Sequence, residues 1–457
     1  MSNILLVEPN YRSKFPPLGL LRLASYHKYI GDNVTFTRGC NPLLKELKWH
    51  KIYVSSLFTY ELPRTVKTIN YYRSSVFNSS DIITGGIAVT LMPDYIKSKT
   101  NCRIIVGPLA QRNILNGEKK PIAKYLPDYS IIDSEKWNYT PNNAYFCRVT
   151  SGCIRHCKFC AVPILEPHFK YLQSLAEQIK AVNKSFGIRQ NLVLMDNNIL
   201  ACDKLTTIIR DIRNSGFEKG AVLNSKLRIV DFNQGIDARL IDDKNAKMLS
   251  TIPLSPIRLA FDYSGIEKEY LKAIRLLSQN GFSEFTNYVM FNFNDDPVDF
   301  YHRIRLNAVL SQELGIRITS FPMKYAPIDD VVRRYVSPNW KWRYLRGMQC
   351  VLLATHGLVS PNLTFFEAAF GADVNDFLEI LSMPDRFIIY RRKYENDGAI
   401  DWKKIFRKLS PKARSEFLDA LSVINISRTK KQSLKEYPQF RDLLEFYYPK
   451  GNSTPCV

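Results

Sequence analysis

Three cysteines stand in the stretch Arg148-Val-Thr-Ser-Gly-Cys-Ile-Arg-His-Cys-Lys-Phe-Cys-Ala-Val-Pro163, at Cys153, Cys157 and Cys160. Three thiolates can hold three corners of a four-iron, four-sulfur (4Fe-4S) cluster and leave the fourth iron open to bind a small molecule. A cluster held by four cysteines usually only passes electrons. Zinc is the rival chemistry, since three cysteines and one histidine form an accepted structural set, and His156 and His168 lie close by in sequence. His156, however, sits inside the cysteine loop. Structural zinc sites more often use two separated pairs of ligands, and no second Cys or His pair of such spacing follows. Cys40, Cys102, Cys147, Cys202, Cys350 and Cys456 are scattered without pair spacing, so neither a second cluster nor a disulfide framework is expected.

The elements that would position this loop follow from hydrophobic pattern. The strand-like run Ala144-Tyr-Phe-Cys-Arg-Val-Thr150 leads into the cysteines. Short apolar runs recur at Asn191–Met195, Leu227–Phe232, Ile257–Phe261, Asn287–Phe291 and Ile316–Phe321, and read as buried parallel strands. Segments of helical spacing separate them: Leu172–Phe186, Lys204–Ser215, Asp243–Ser250, Lys268–Asn280 and Pro297–Leu314. Alternating strand and helix implies a parallel sheet with right-handed crossovers, here about six units, hence an open (β/α)6 partial barrel. In such a barrel chemistry gathers at the carboxyl ends of the strands. That places Cys153, Cys157 and Cys160 there, with Asp196, Asn197 and Asn198 after the second strand, Asn233, Gln234, Asp237 and Arg239 after the third, Asp262 after the fourth, and Asn292 and Asn294 after the fifth. Asn and Asp in such places are also ordinary turn and helix-cap residues. The cluster from Phe232 to Arg239 is denser in polar groups than a cap requires.

The pattern Cys153-x-x-x-Cys157-x-aromatic-Cys160, with Phe159 as the aromatic and a strand just before it, resembles the cluster loop of the radical S-adenosylmethionine superfamily. The resemblance implies a 4Fe-4S cluster on the three cysteines and S-adenosylmethionine chelated to the open iron. One-electron reduction by a carrier such as flavodoxin or ferredoxin would then split the cosubstrate to methionine and a 5′-deoxyadenosyl radical that abstracts a substrate hydrogen. Asp196, Asn197 and Asn198 occupy the place where many relatives carry a Gly-Gly-Glu-like segment supporting the methionine amino group, a departure from that pattern. Asn233, Gln234 and Arg239 are the next choice, for the ribose hydroxyls or the carboxylate, because a polar side chain inside an apolar barrel must find a partner. Asp262 and Asn292 complete the expected cofactor-binding set.

Residues 1–138 repeat a second α/β pattern, with a buried strand leading to a loop expected in Met1–Asn10, further strands at Asn33–Thr37, Lys51–Ser55, Asp81–Thr84 and Cys102–Val106, and a helix from Pro17. By pattern this is an open, doubly wound, Rossmann-like domain. It resembles the cobalamin-binding domain that precedes the barrel in one branch of the same superfamily, through Phe15-Pro-Pro-Leu-Gly-Leu-Leu-Arg-Leu-Ala24, Ser55-Ser-Leu-Phe-Thr59 and Ile83-Thr-Gly-Gly-Ile-Ala-Val-Thr90. The resemblance implies a possible cobalamin, with Gly85 and Gly86 letting a backbone approach its tail; a tight turn is the structural alternative. The histidine loop that supplies cobalt with a ligand in many cobalamin proteins is absent, because Thr35-Phe-Thr-Arg-Gly-Cys-Asn41 holds no histidine.

The expected organisation is therefore α/β: the cobalamin-binding-like domain at 1–138, the barrel at 139–330 and a basic helical C-terminal domain at 331–457. A formal net charge of +21 suggests an acidic partner such as RNA, met by Arg391-Arg-Lys393, Lys403-Lys404, Arg407-Lys408 and Arg428-Thr-Lys-Lys431 among Trp340, Trp342, Tyr344, Tyr390 and Tyr394. A lysine-rich solvated surface would carry the same charge with no partner. The first apolar run is too short for a signal peptide and no run is long enough to cross a membrane, so a cytoplasmic protein with no membrane partner is expected. Two functions remain open here: a radical S-adenosylmethionine enzyme with an unidentified substrate, and a noncatalytic, zinc-stabilised nucleic-acid-binding protein.

Overall fold

A computed structural model describes residues 1–448 except 116, 133–138, 142 and 426–428; Cys456 and Arg428 lie outside the described residues. The chain divides into two compact units, the first formed by residues 1–235, 248–255 and 327–334 and the second by 236–247, 256–326 and 335–457.

The first unit opens with strand β1 (Asn3–Glu8), helix α1 (Leu18–Tyr29), β2 (Asn33–Arg38), β3 (Lys51–Ser55), α2 (Leu62–Tyr71), β4 (Ile82–Gly85), α3 (Ile87–Leu91) and β5 (Arg103–Ile104). All strands of this sheet are parallel, in the order β2-β1-β3-β4-β5. β1 is central, and its unbroken apolar run serves two cores. Leu5 and Val7 pack with Trp49, Ile52, Val54 and Ile69 on one face; Ile4 and Leu6 pack with Leu20, Leu23, Tyr53 and Ile83 on the other. A strand buried on both faces needs that composition.

The same unit carries a second sheet, three parallel strands in the order β10-β9-β6, formed by β6 (Ala144–Cys147), β9 (Asn191–Leu194) and β10 (Val230–Phe232). Between β6 and β9 lie the two-residue strands β7 (Thr150–Ser151) and β8 (Lys170–Tyr171), which pair antiparallel, then the helices α4 (Val162–Leu165, within the β7–β8 loop) and α5 (Leu175–Phe186). α5 begins at a serine cap, where Ser174 Oγ accepts the Glu177 N–H at 3.3 Å. Helix α6 (Leu205–Asn214) connects β9 to β10, its buried face made by Leu205, Ile208, Ile209 and Ile212.

The second unit holds another three-stranded parallel sheet, β11 (Ile257–Ala260), β12 (Glu284–Phe291) and β13 (Arg317–Lys324), joined by α7 (Glu267–Gln279) and α8 (Pro297–Leu314). Pro322 is tolerated in β13 because this strand is at a sheet edge, with no outer neighbour needing its missing N–H. Helices α9 (Trp342–Ala354), α10 (Leu363–Phe370), α11 (Val374–Ser382), α12 (Ile400–Arg407) and α13 (Pro411–Ile424) follow. They share one core with that sheet: Val289, Phe291, Phe300 and Ile304 pack in the same cluster as Trp340, Phe366, Phe377, Trp402 and Phe417. No helix among the described residues is long and apolar enough to cross a membrane.

Candidate functional site

The three cysteines lie in the loop that leaves the carboxyl end of β6. The β7–β8 pairing, Thr150 opposite Tyr171 and Ser151 opposite Lys170, pins both ends of that loop. Gly152 enters it with φ +73°, and a Cβ there would lie 2.5 Å from the His168 carbonyl oxygen and 2.9 Å from that of Glu166; only glycine allows this crossing next to Cys153.

Cys153, Cys157 and Cys160 are half-buried. Their sulfurs are met by N–H donors. Cys153 Sγ accepts the backbone N–H of Arg155 at 3.3 Å and Nδ2 of Asn198 at 3.5 Å, and Cys160 Sγ accepts the N–H of Val162 at 3.5 Å. The Cys160 N–H in turn binds the Cys157 carbonyl at 3.0 Å. Donors aimed at sulfur suit a thiolate ligand and tune the metal it holds. A single zinc ion would need its donors to converge at about 2.0–2.3 Å, and among the described residues no three His, Cys, Asp or Glu side chains so converge.

Asp196, directly after β9, is 2% exposed. Its Oδ1 accepts the N–H of Val149 at 3.0 Å and both the N–H and the hydroxyl of Thr150 at 2.5 and 2.6 Å, which ties the end of β9 to the entry of the cysteine loop. Burial pushes its carboxyl up, opposed by Thr150, Val149 and the Arg148 charge. Asn197 and Asn198 continue from it, and Asn197 Nδ2 donates to Glu166 Oε2 at 3.0 Å.

Glu166 is the residue the sequence did not announce. Its carboxylate takes both terminal nitrogens of Arg148, the Gly152 N–H at 2.8 Å and the Asn197 amide. Burial raises its carboxyl, but the Arg148 hydrogen bonds and charge and the Gly152 N–H outweigh that and hold it below the usual carboxylate range. The only signal in sequence is position, a carboxylate before Pro167 at the end of the cysteine loop.

The first unit thus brings Cys153, Asp196, Asn197 and Asn198 into one bonded set. Asn233 is half-buried after β10, with its Nδ2 at 3.8 Å from Met195 Sδ, while Gln234 is exposed. Gly85 and Gly86 end β4 in the other sheet. In the second unit, Arg239 Nε pairs with Asp237 at 2.6 Å. Asp262, after β11, has its carboxyl pushed up to about 6 by burial, with Arg303, the Met290 N–H and Arg239 pulling the other way. Asn292 is fully buried with φ +69°. Its Nδ2 donates to the carbonyls of Tyr325 and Tyr335 at 3.0 and 3.1 Å and its Oδ1 accepts the Ser337 N–H at 2.8 Å, so its amide is engaged in holding loops together.

No protein-family model matches the chain. A segment of 91 residues is 28% identical to the ribosomal protein uS12 methylthiotransferase RimO of Brucella ovis, a radical S-adenosylmethionine protein, and covers 19% of this chain. Beside that match stand three cysteines spaced three and two apart at the carboxyl end of a parallel strand. The chain is similar there to a radical S-adenosylmethionine enzyme. The matched segment spans 20% of the length of that curated relative. Among solved structures, the cobalamin-dependent S-adenosylmethionine radical enzyme OxsB with aqua-cobalamin and S-adenosylmethionine bound aligns over 97% of this chain and 75% of that one, with a TM-score of 0.49 and 12% identity. Its apo, selenomethionine-labelled form gives 0.45 and 12% over 100% and 77%. Superpositions at that level carry no weight for function.

Proposed function

We propose that this chain is an enzyme that holds a 4Fe-4S cluster on Cys153, Cys157 and Cys160, cleaves S-adenosylmethionine reductively and so starts radical modification of a substrate. The observation that carries this is the cysteine loop itself, clasped by β7 and β8 at the end of β6, with N–H donors on Cys153 and Cys160 and both loop ends tied to Glu166. The chemistry such a cluster supplies is a single electron to the bound sulfonium, delivered from a flavodoxin- or ferredoxin-type carrier.

The chain's own residues do the rest. The three thiolates leave one cluster position for the amino and carboxylate groups of the cosubstrate, and Asn197 and Asn198 supply carboxamides beside it. Asp196 fixes the two strand ends relative to one another, so that these groups need not reorganise when ligand arrives. Half-burial of the loop limits access of water and oxygen.

The test is a reconstitution under strict exclusion of oxygen, followed by S-adenosylmethionine and dithionite and quantification of 5′-deoxyadenosine, iron and sulfide. Formation of 5′-deoxyadenosine by the wild type, abolished in Cys157→Ala, is expected. Zinc in place of iron with no cleavage would sink the proposal. RNA is not assigned as the substrate; four of the basic residues of the helical segment are engaged within the chain, Arg407 and Lys403 on Glu379, Lys404 on Asp401, and Arg391 on the carbonyls ending α10.

A further inference from the structure

The N-terminal sheet changes winding direction between β1 and β3, the point where an open α/β sheet takes a ligand just beyond the carboxyl ends of its strands. In this chain that crevice is filled from within. Glu8, the last residue of β1, is 1% exposed. Its carboxylate forms an ion pair with Nε of Arg38, from the end of β2, at 2.9 Å and accepts the hydroxyl of Tyr139 at 2.5 Å. Arg38 also donates to the Tyr11 carbonyl at 2.8 Å, and its guanidinium lies 5.3 Å from the centre of the Tyr139 ring. Tyr11 is itself buried, edge-on to Phe58 at 5.8 Å. A carboxylate, a guanidinium and two tyrosines packed on one another occupy the polar end of that crevice.

The second approach is closed as well. Gly86 has φ +104°, and a Cβ on it would lie 2.5 Å from the Ser56 carbonyl oxygen. The close backbone approach that this glycine permits is therefore taken by Ser56, whose N–H donates to the Gly85 carbonyl at 2.9 Å and whose carbonyl accepts the Ala88 N–H at 3.2 Å. Helix α3, which starts at Ile87, packs directly against α4, which starts two residues after Cys160. Phe15, from the loop after β1, lies edge-on to Phe146 of β6 at 6.4 Å, and the Thr140 N–H binds the Lys14 carbonyl at 2.9 Å. A corrin ring with its nucleotide tail needs a broad gap between such a domain and the cysteine loop. Here the two are in contact, and the loop after β2, Gly39-Cys-Asn41, holds no histidine for cobalt.

We infer that the N-terminal domain binds no corrinoid: Glu8, Arg38, Tyr11 and Tyr139 plug its ligand crevice, and the domain serves as a packing scaffold for the cysteine loop. It follows that S-adenosylmethionine cleavage by this chain is independent of cobalamin, a consequence that rests on the proposed activity, whereas the binding claim does not.

The experiment uses the full chain, reconstituted without oxygen and mixed with excess hydroxocobalamin. After gel filtration, corrin absorbance is read at the protein's elution position, and the 5′-deoxyadenosine yield is compared with and without the corrinoid. No co-eluting corrin and an unchanged yield are expected. Stoichiometric co-elution, or a yield that requires cobalamin, would overturn the inference. If no 5′-deoxyadenosine forms under either condition the enzymatic proposal fails, and the elution profile still decides whether the crevice is closed.

Discussion

Glu166 joins the loop's entry at Gly152, the Arg148 guanidinium and Asn197 after β9. Glu166→Ala would leave the Gly152 N–H and the Arg148 fork without their acceptor, a cost of about 1–3 kcal/mol, and would free the segment that carries Cys153. Less iron retained per chain after reconstitution and a lower thermal midpoint are expected. Glu166→Gln keeps an acceptor for Gly152 and should recover most of the iron; equal loss in both variants would show that the charge, and not the hydrogen bond, sets the loop. Because the folded carboxyl is held low, this anchor is present above the ordinary carboxylate range and is lost as pH falls through its depressed pKa. Asp262 has the opposite sign. Its folded pKa near 6 exceeds the ordinary value, so its contribution is fully favourable only below about 4 and declines as pH rises to 6. At pH 7.5 its ionised form costs the fold up to about 3 kcal/mol. Asp262→Asn should therefore raise the thermal midpoint at pH 7.5, with the gain shrinking toward pH 4; a gain that does not depend on pH would refute the titration argument.

At the scale of elements, α8 shows what local sequence can specify. The Pro297–Leu314 segment expected from its spacing is the helix observed, because its ends are marked locally: Asp296 caps the Asp299 N–H at 2.9 Å, Pro297 occupies the first turn and Gly315 stops the helix in a left-handed conformation at φ +62°. Its interior was not legible in the same way. Arg303 is fully buried, with Asp295 at 2.8 Å, Asp299 at 2.7 Å and the carbonyls of Phe261 and Met290 at 2.8 and 2.9 Å. Three of these four partners are not on the helix, so no periodicity could reveal them. Arg303→Met should destabilise the second unit by about 3–5 kcal/mol, since it strands buried carboxylates without their cation; a urea midpoint that hardly moves would contradict this. The third strand expected at Leu227–Phe232 is shorter in the structure, Val230–Phe232. Lys226 and Leu227 turn back on Val222 and Leu223 in a hairpin through Asn224 and Ser225, both at positive φ. The Asn-Ser pair was the available signal for that turn. At the site, strand-end positions marked Asp196, Asn197 and Asn198, but strand ends do not disclose partners. The hydrogen-bond partners of Asn292 lie 33 to 45 residues away, and the ion pair of Glu166 with Arg148 exists only once the loop has closed.

At the scale of the whole chain, the charge of +21 is spread and not gathered. Residues 1–138 hold 19 Lys and Arg against 10 Asp and Glu, residues 139–334 hold 26 against 20, and residues 335–457 hold 19 against 13. The helical segment is thus no more basic than the N-terminal one. Its aromatic residues do not form a stacking track either: Trp340 and Trp402 are in the core, Trp342 and Tyr344 pack against it, and Tyr390 is exposed. A diffuse positive field of this kind attracts any polyanion through counterion release, weakly and with a steep dependence on salt, and it cannot distinguish bases. Single-stranded RNA and DNA of equal length should therefore bind alike and elute together as salt rises. The double substitution Arg392→Glu with Lys393→Glu should weaken binding no more than the charge-matched Lys97→Glu with Lys119→Glu in the first unit, all four residues being exposed. A preference for RNA, or a loss confined to the Arg392 and Lys393 variant, would show a localised phosphate track. It would also return nucleic acid to the front of the search for the molecule on which the radical acts.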